Sequence, residues 1–173
     1  MNVLLLFKNI RCFILDVDGV LTDGSLLVLD DGQQVRKMNI KDGYALQLAI
    51  KKGYHILIVS GGSSAAVKWR LEKLGIENIH FNVKNKAEVI REYVTNNNLT
   101  WPQVLYMGDD MPDHKAMQMA GLACCPTDAV PEIKAISHYT SDKKGGEGCV
   151  RDVLEKTMKL NGHWTHEDDI VSQ

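Results

Sequence analysis

Asp16 and Asp18 stand one residue apart, directly after the apolar run Cys12-Phe13-Ile14-Leu15 and directly before Gly19. Such a run reads as a strand buried on both faces, and parallel sheets place their ligand sites at the carboxyl ends of those strands. Side chains two apart on a strand project to one side, so this pair can share a divalent cation and work on one substrate atom. Gly19 then lets the chain turn away. An Asx-type turn, which Asp and Gly favour anywhere, is the alternative. Three more polar clusters fall at the ends of other expected strands. Ser60-Gly61-Gly62 offers a hydroxyl and backbone N–H groups suited to a phosphoryl oxygen, although two glycines also make an ordinary loop. Lys86 supplies a cation that offsets phosphate charge, against the usual surface position of a lysine. In Gly108-Asp109-Asp110-Met111-Pro112-Asp113 a helix cap on Asp110 accounts for one or two of the acids. A hard cation joining Asp109 to Asp16 accounts for another, which leaves Asp113 a structural role.

The elements that must position these groups follow from periodicity and punctuation. The stretches 25–29 and 34–38 flank Asp30-Asp31-Gly32 and predict a hairpin flap over about 24–39. A helix from Asp42 ends at Lys51-Lys52-Gly53, with basic residues in its last turn and glycine as the stop. The alternation continues with strand 55–59, helix 64–74, strand 78–83, helix 86–96 and strand 104–107. A helix from Pro112 to Ala120, strand 122–125, a short helix 130–135, edge strand 137–140 and a last helix 149–160 complete it. Strands alternating with helices imply an α/β fold with a doubly wound, Rossmann-like parallel sheet and right-handed crossovers. One domain over 1–162 is expected, followed by a frayed tail at 163–173.

Composition narrows the function classes. The chain's 173 residues carry a net charge of −2, with lysines scattered rather than massed, so nucleic acid is not an expected partner. The apolar run 3–7 is broken by Lys8 and Arg11 and is far too short for a membrane span, so a cytoplasmic location is expected. Cys12, Cys124, Cys125 and Cys149 lack paired spacing and read as reduced thiols, and six dispersed histidines give no metal motif.

In their order along the chain, the two aspartates, the serine, the lysine and the Gly-Asp-Asp cluster resemble the haloacid dehalogenase superfamily of phosphotransferases. Lys41-Asp42-Gly43-Tyr44, Cys124-Cys125-Pro126, Asp128-Ala129-Val130-Pro131-Glu132 and 145–152 extend the resemblance to small bacterial 3-deoxy-D-manno-octulosonate 8-phosphate phosphatases. The resemblance implies a magnesium-dependent phosphomonoesterase with the haloacid dehalogenase fold, in which Asp16 is the nucleophile and Asp18 the general acid and base. Ser60 and Lys86 would hold the phosphoryl oxygens. Mg²⁺ would bind Asp16, the backbone carbonyl of Asp18, and Asp109. Asp110 would orient Lys86, with Asp113 beside it in a supporting role. The short interval between Asp23 and the next helix leaves no room for a cap domain. The resemblance further implies a homotetramer and casts 143–151, with Gly146 and Glu147, as a mobile lid over the substrate.

Substrate identity divides on single residues. Gly61 and Gly62 would border the sugar acid phosphate, and Arg70, with Lys73, meets a substrate carboxylate or lines a solvated face. Gly62, where some nonulosonate 9-phosphate phosphatases carry glutamate, favours the octulosonate. Glu147, where arginine is common in octulosonate phosphatases, favours the nonulosonate. A signalling receiver would need a carboxylate after the third strand, where Val83-Lys84-Asn85-Lys86 offers none. A non-catalytic phosphatase-like interaction module is the other alternative, against which the retained polar set argues.

Overall fold

The computed structural model describes residues 2–170. Six strands form one parallel sheet: β1 (Cys12–Leu15), β4 (His55–Val59), β5 (Asn78–His80), β6 (Val104–Met107), β7 (Leu122–Cys125) and β8 (Tyr139–Thr140). Their spatial order is β5-β4-β1-β6-β7-β8. The chain builds leftward from β1 and then crosses back to β6, so the winding reverses between β1 and β6. Ligands in open α/β sheets bind at the carboxyl end of such a switch point. Leu15 is in register with Ile58 on one side and Met107 on the other, which sets the ends of three strands side by side.

The sheet is apolar on both faces because its strands alternate between two cores. Phe13, Leu15, Ile56, Ile58, Leu105 and Met107 pack beneath α1 (Val3–Asn9), α2 (Ile40–Lys51), α3 (Ala65–Lys73) and α7 (Cys149–Leu160). Cys12, Ile14, Leu57, Val59 and Tyr106 face α4 (Lys86–Asn96), α5 (His114–Met117) and α6 (Pro131–Ile136). All four cysteines are buried free thiols. Among the described residues, no helix is long and apolar enough to cross a membrane.

Several expectations are corrected in detail. The run 3–7, to which the sequence assigns no element, forms α1, capped by Asn2, whose Oδ1 accepts the Leu4 N–H at 3.1 Å. β5 stops at His80 because Asn82 adopts φ 56°, a left-handed conformation that ends a strand. The helix expected from Pro112 is a 3-10 turn, Met111–Asp113, followed by the single turn of α5. The tail packs against α2 rather than fraying. His163 Nδ1 meets the Tyr54 hydroxyl at 2.9 Å, Glu167 pairs with Lys51 and Lys52, and Trp164 sets its ring edge to Tyr44. Positions 171–173 of that expectation lie outside the described residues.

Between β1 and α2 the chain forms β2 (Leu27–Val28) and β3 (Gln34–Val35), a two-residue antiparallel ladder anchored by a bridge between Thr22 and Met38. This hairpin, much shorter in its pairing than 25–29 and 34–38, is all that occupies the place of a cap.

Candidate active site

The residues expected to do chemistry or hold the cation leave the sheet at its carboxyl edge. Asp16 follows β1, Ser60 follows β4, Lys86 is the first residue of α4 beyond β5, and Asp109 lies just past β6. With Asp18, Gly61 and Gly62 they line a cavity of about 270 Å³. Asp16, Ser60 and Lys86 are all buried.

The loop that carries Asp18 is shaped by Gly19, whose φ is 83°. A Cβ at Gly19 would lie 1.9 Å from Asp109 Oδ2, so the absence of a side chain is what lets Asp109 approach the first loop. Thr22 Oγ1 accepts the N–H groups of Gly19 and Gly24 and donates to the Val17 carbonyl, each at 3.3 Å, which closes the loop on itself.

Lys86 Nζ lies 2.9 Å from Asp16 Oδ1 and 2.7 Å from Asp113 Oδ1. Asp113 is held through both oxygens: Oδ1 also accepts the Tyr106 hydroxyl at 2.6 Å, and Oδ2 accepts the Asp109 N–H at 3.2 Å. The orientation of Lys86 expected of Asp110 therefore belongs to Asp113. Asp110 is exposed and caps the 3-10 turn, accepting the Met111 N–H at 2.7 Å. Asp113, three residues later, is turned inward against Tyr106 on β6 and is fully buried.

The cluster carries more negative charge than its cation balances. Oxygens of Asp16, Asp109 and Asp113 lie within 4.8 Å of one another around one lysine. Burial, then the neighbouring Asp113, pushes Asp16 up to about 8 against the pull of Lys86. Burial opposes the Lys86 charge, but Asp113 and Asp16 outweigh it and raise the lysine pKa. The two shifts are compatible because Asp113 serves as the ion-pair partner of Lys86 and Asp16 is the surplus charge. Asp109 is pushed up to about 7, first by burial and then by Asp113 and Asp110. Its Oδ1 is buried without a hydrogen-bond partner. An orphaned carboxylate oxygen beside a second surplus carboxylate suits a hard divalent cation, which takes oxygen ligands and supplies the missing charge.

Arg36, which the sequence reading passed over, joins the site from the hairpin. Its Nε donates to Asp18 Oδ1 at 2.6 Å and its Nη2 to Oδ2 at 3.3 Å. The signal available was the alternation beyond β3, which puts Arg36 on the same face as half-buried Met38. A wider groove of about 650 Å³ runs between the hairpin and α3, with Arg36 and Arg70 in its walls. Arg70 thus lies outside the catalytic cavity.

The segment 143–151 is docked against the catalytic loop rather than hung over the mouth as a lid. Gly145 and Gly146 are buried, the Gly146 N–H donates to the Val20 carbonyl at 2.9 Å, and Cys149 Sγ reaches the same carbonyl at 3.3 Å. Asn39 Nδ2 holds the Gly146 carbonyl and the Asp128 carboxylate holds the Gly145 N–H. Glu147 is exposed, and neither it nor Gly146 lines the catalytic cavity.

Comparison with known proteins agrees with this geometry. Residues 78–153 match the family model of haloacid dehalogenase-like hydrolases. The chain is 31% identical over 155 residues to the 3-deoxy-D-manno-octulosonate 8-phosphate phosphatase of Salmonella typhi, covering 90% of this chain and 82% of the relative. The crystal structure of that phosphatase from Yersinia pestis superimposes with a TM-score of 0.90 at 30% identity, covering 93% of this chain and 87% of the other. The Moraxella catarrhalis phosphatase, solved in complex with magnesium ion, phosphate ion and KDO, gives 0.88 at 32% identity with 91% of each chain covered. A Rossmann-like sheet, aspartates at the β1 and β6 ends, and relatedness over nine-tenths of its length place the chain among the haloacid dehalogenase-like hydrolases, in the family of the 3-deoxy-D-manno-octulosonate 8-phosphate phosphatases.

Proposed function

We propose that this protein is a magnesium-dependent phosphomonoesterase that releases phosphate from 3-deoxy-D-manno-octulosonate 8-phosphate in lipopolysaccharide precursor synthesis. The observation that carries the reading is the surplus carboxylate pair, Asp16 and the orphaned Asp109 oxygen, set beside Lys86 at the switch point of the sheet. Asp16, Asp109 and the Asp18 backbone carbonyl would hold Mg²⁺, which supplies charge neutralisation for the phosphoryl oxygens.

An Asp16 carboxylate oxygen attacks phosphorus while the bond to the sugar oxygen breaks, and Asp18 gives that oxygen its proton. Water then attacks the aspartyl-phosphate, Asp18 takes the water's proton, and the Asp16–phosphorus bond breaks to release phosphate. Ser60 and Lys86 hold phosphoryl oxygens through both steps, and Asp113 fixes Lys86 for that task. Unaided phosphate-monoester hydrolysis is so slow that positioning and charge together must remove on the order of 20 kcal/mol from the barrier.

The hairpin exposes Leu26, Leu27, Val28, Leu29 and Val35, an apolar surface consistent with assembly, here a homotetramer. Four reduced thiols suit a cytoplasmic location.

The test is phosphate release, with and without Mg²⁺, from the octulosonate 8-phosphate, nonulosonate 9-phosphates and simple sugar phosphates. Preference for the octulosonate supports the reading, preference for a nonulosonate reassigns the substrate, and silence on all of them returns the chain to a non-catalytic module. Asp16→Asn is expected to abolish release while keeping the far-UV circular dichroism of the parent. Full activity in that variant would remove Asp16 as nucleophile.

A further inference from the structure

We propose that Arg36 is a positioning residue for this reaction and acts through Asp18. The hairpin delivers its guanidinium to hold the acid–base carboxylate in one orientation. The inference rests on the reading of Asp18 as the group that protonates the leaving alcohol.

Arg36 follows β3 directly. Its side chain is 5% exposed, whereas that of its neighbour Lys37 is 73% exposed. One residue of the hairpin thus turns a charge inward while those around it face solvent. Its partner is the reverse case: the Asp18 side chain is 40% exposed at the open side of the site. The Nε–Oδ1 and Nη2–Oδ2 contacts at 2.6 and 3.3 Å pair the guanidinium fork with both carboxylate oxygens. A two-point pair of this kind fixes the rotation of a carboxylate, which a lysine ammonium at one point does not. Gly62 lies against the pair without crowding it. A Cβ there would lie 3.2 Å from Asp18 Oδ2 and 3.5 Å from Arg36 Nη2.

Rotation matters because proton transfer requires one carboxyl oxygen within hydrogen-bond reach of the departing oxygen: the short Nε contact holds Oδ1, and the long Nη2 contact at 3.3 Å yields when Oδ2 carries the proton. It also couples the flap to the chemistry. A two-stranded hairpin is marginal alone, and this one reaches the body through the Thr22–Met38 bridge, the Lys37–Asp23 ion pair and the Arg36–Asp18 pair. Seating the hairpin and orienting Asp18 are then one event.

The experiment compares the full-length parent, Arg36→Lys, Arg36→Met and Asp18→Asn, all with Mg²⁺. Two substrates are used: the octulosonate 8-phosphate, and p-nitrophenyl phosphate, whose leaving group needs no proton. Kcat on the sugar acid phosphate is expected to fall about tenfold in Arg36→Lys and about a hundredfold in Arg36→Met, with KM within about threefold of the parent. With p-nitrophenyl phosphate the initial burst of p-nitrophenol keeps its rate constant while later turnover slows, because only the hydrolytic step then uses Asp18. A rise in KM at unchanged kcat would instead make Arg36 a substrate contact. Equal loss in burst and turnover would make it merely structural, and full rescue by lysine would show that charge alone suffices. Each of these overturns the inference. Full sugar-phosphate turnover in Asp18→Asn would instead overturn the role given to Asp18, whatever the Arg36 variants do.

Discussion

Gly19→Ala tests whether the approach of the first loop to Asp109 builds the site. The substitution has two separable costs. Alanine at φ 83° carries left-handed strain of about 1–2 kcal/mol. Its Cβ would also stand 1.9 Å from Asp109 Oδ2 and 2.4 Å from Cγ, so one side must retreat by about 1 Å or more. The backbone around Asp109 is tied on both sides, through its N–H to Asp113 Oδ2 and through its carbonyl to the Val130 N–H at 3.0 Å. The carboxylate therefore swings, and it is the group proposed to hold the cation. Displacement by about 1 Å at a reacting centre costs on the order of a hundredfold in rate. Gly32→Ala supplies the control, because Gly32 has the same φ of 83° with no atom within 4 Å of the added Cβ. Phosphate release titrated with Mg²⁺, and urea unfolding in chelator, are the assays. Gly32→Ala should lose about 1–2 kcal/mol from strain alone, and Gly19→Ala that much plus the cost of displacing Asp109, roughly 1–3 kcal/mol more. Only Gly19→Ala should lose activity about a hundredfold and need more Mg²⁺ for half-saturation. Parent-like activity and Mg²⁺ dependence in Gly19→Ala would refute the assignment of Asp109 to the cation.

Asp113→Asn keeps an acceptor for Tyr106 but removes the charge beside Lys86. Kcat should fall tenfold or more, while urea unfolding should show only a small loss, because Asp16 remains to pair with Lys86 and one repulsive charge is gone; a parent-like kcat would return the orienting role to Asp110. Asp42 is buried at the start of α2, and its Oδ1 accepts the Arg151 N–H at 2.7 Å in the first turn of α7. Burial outweighs that bond and raises its pKa to about 6, so its contribution to stability is full below about pH 4 and is lost as pH rises through about 6. Stability of the parent relative to Asp42→Asn should thus decline by on the order of 3 kcal/mol between pH 4 and 7. Parallel stability curves for the two proteins would show that Asp42 keeps its charge throughout.

What the sequence discloses and what it hides divide by range. Asp16, Ser60 and Asp109 were legible because each depends on its distance from the end of an apolar strand, and that distance is written locally. The registers Leu15–Ile58 and Leu15–Met107 then bring the ends together as the parallel alternation requires. The short helix α1 was hidden because Leu4 and Leu5 are exposed while Phe7 is buried, a pattern too brief to show a period. The ends of β5 and of the helix after Pro112 depended on a left-handed Asn82 and a 3-10 turn, neither of which composition announces.

The partners of the catalytic groups were less legible than the groups themselves, because each partnership is settled in space. Asp110 and Asp113 are equivalent as letters, but the 3-10 turn spends Asp110 on the Met111 N–H and rotates Asp113 to Tyr106 and Lys86. Arg36 lies 18 residues from Asp18, and only the docking of the hairpin makes them neighbours. The family resemblance casts 143–151 as a mobile lid, yet burial of Gly145 and Gly146 against the catalytic loop makes it a brace. Substitutions at Asp16 should therefore act directly on the chemistry and on the cation it is proposed to hold. Substitutions at Arg36 or Asp113 should act on the placement of the group that each of them holds without performing its chemistry, and substitutions at Gly146 on the loop around Val20 that it braces.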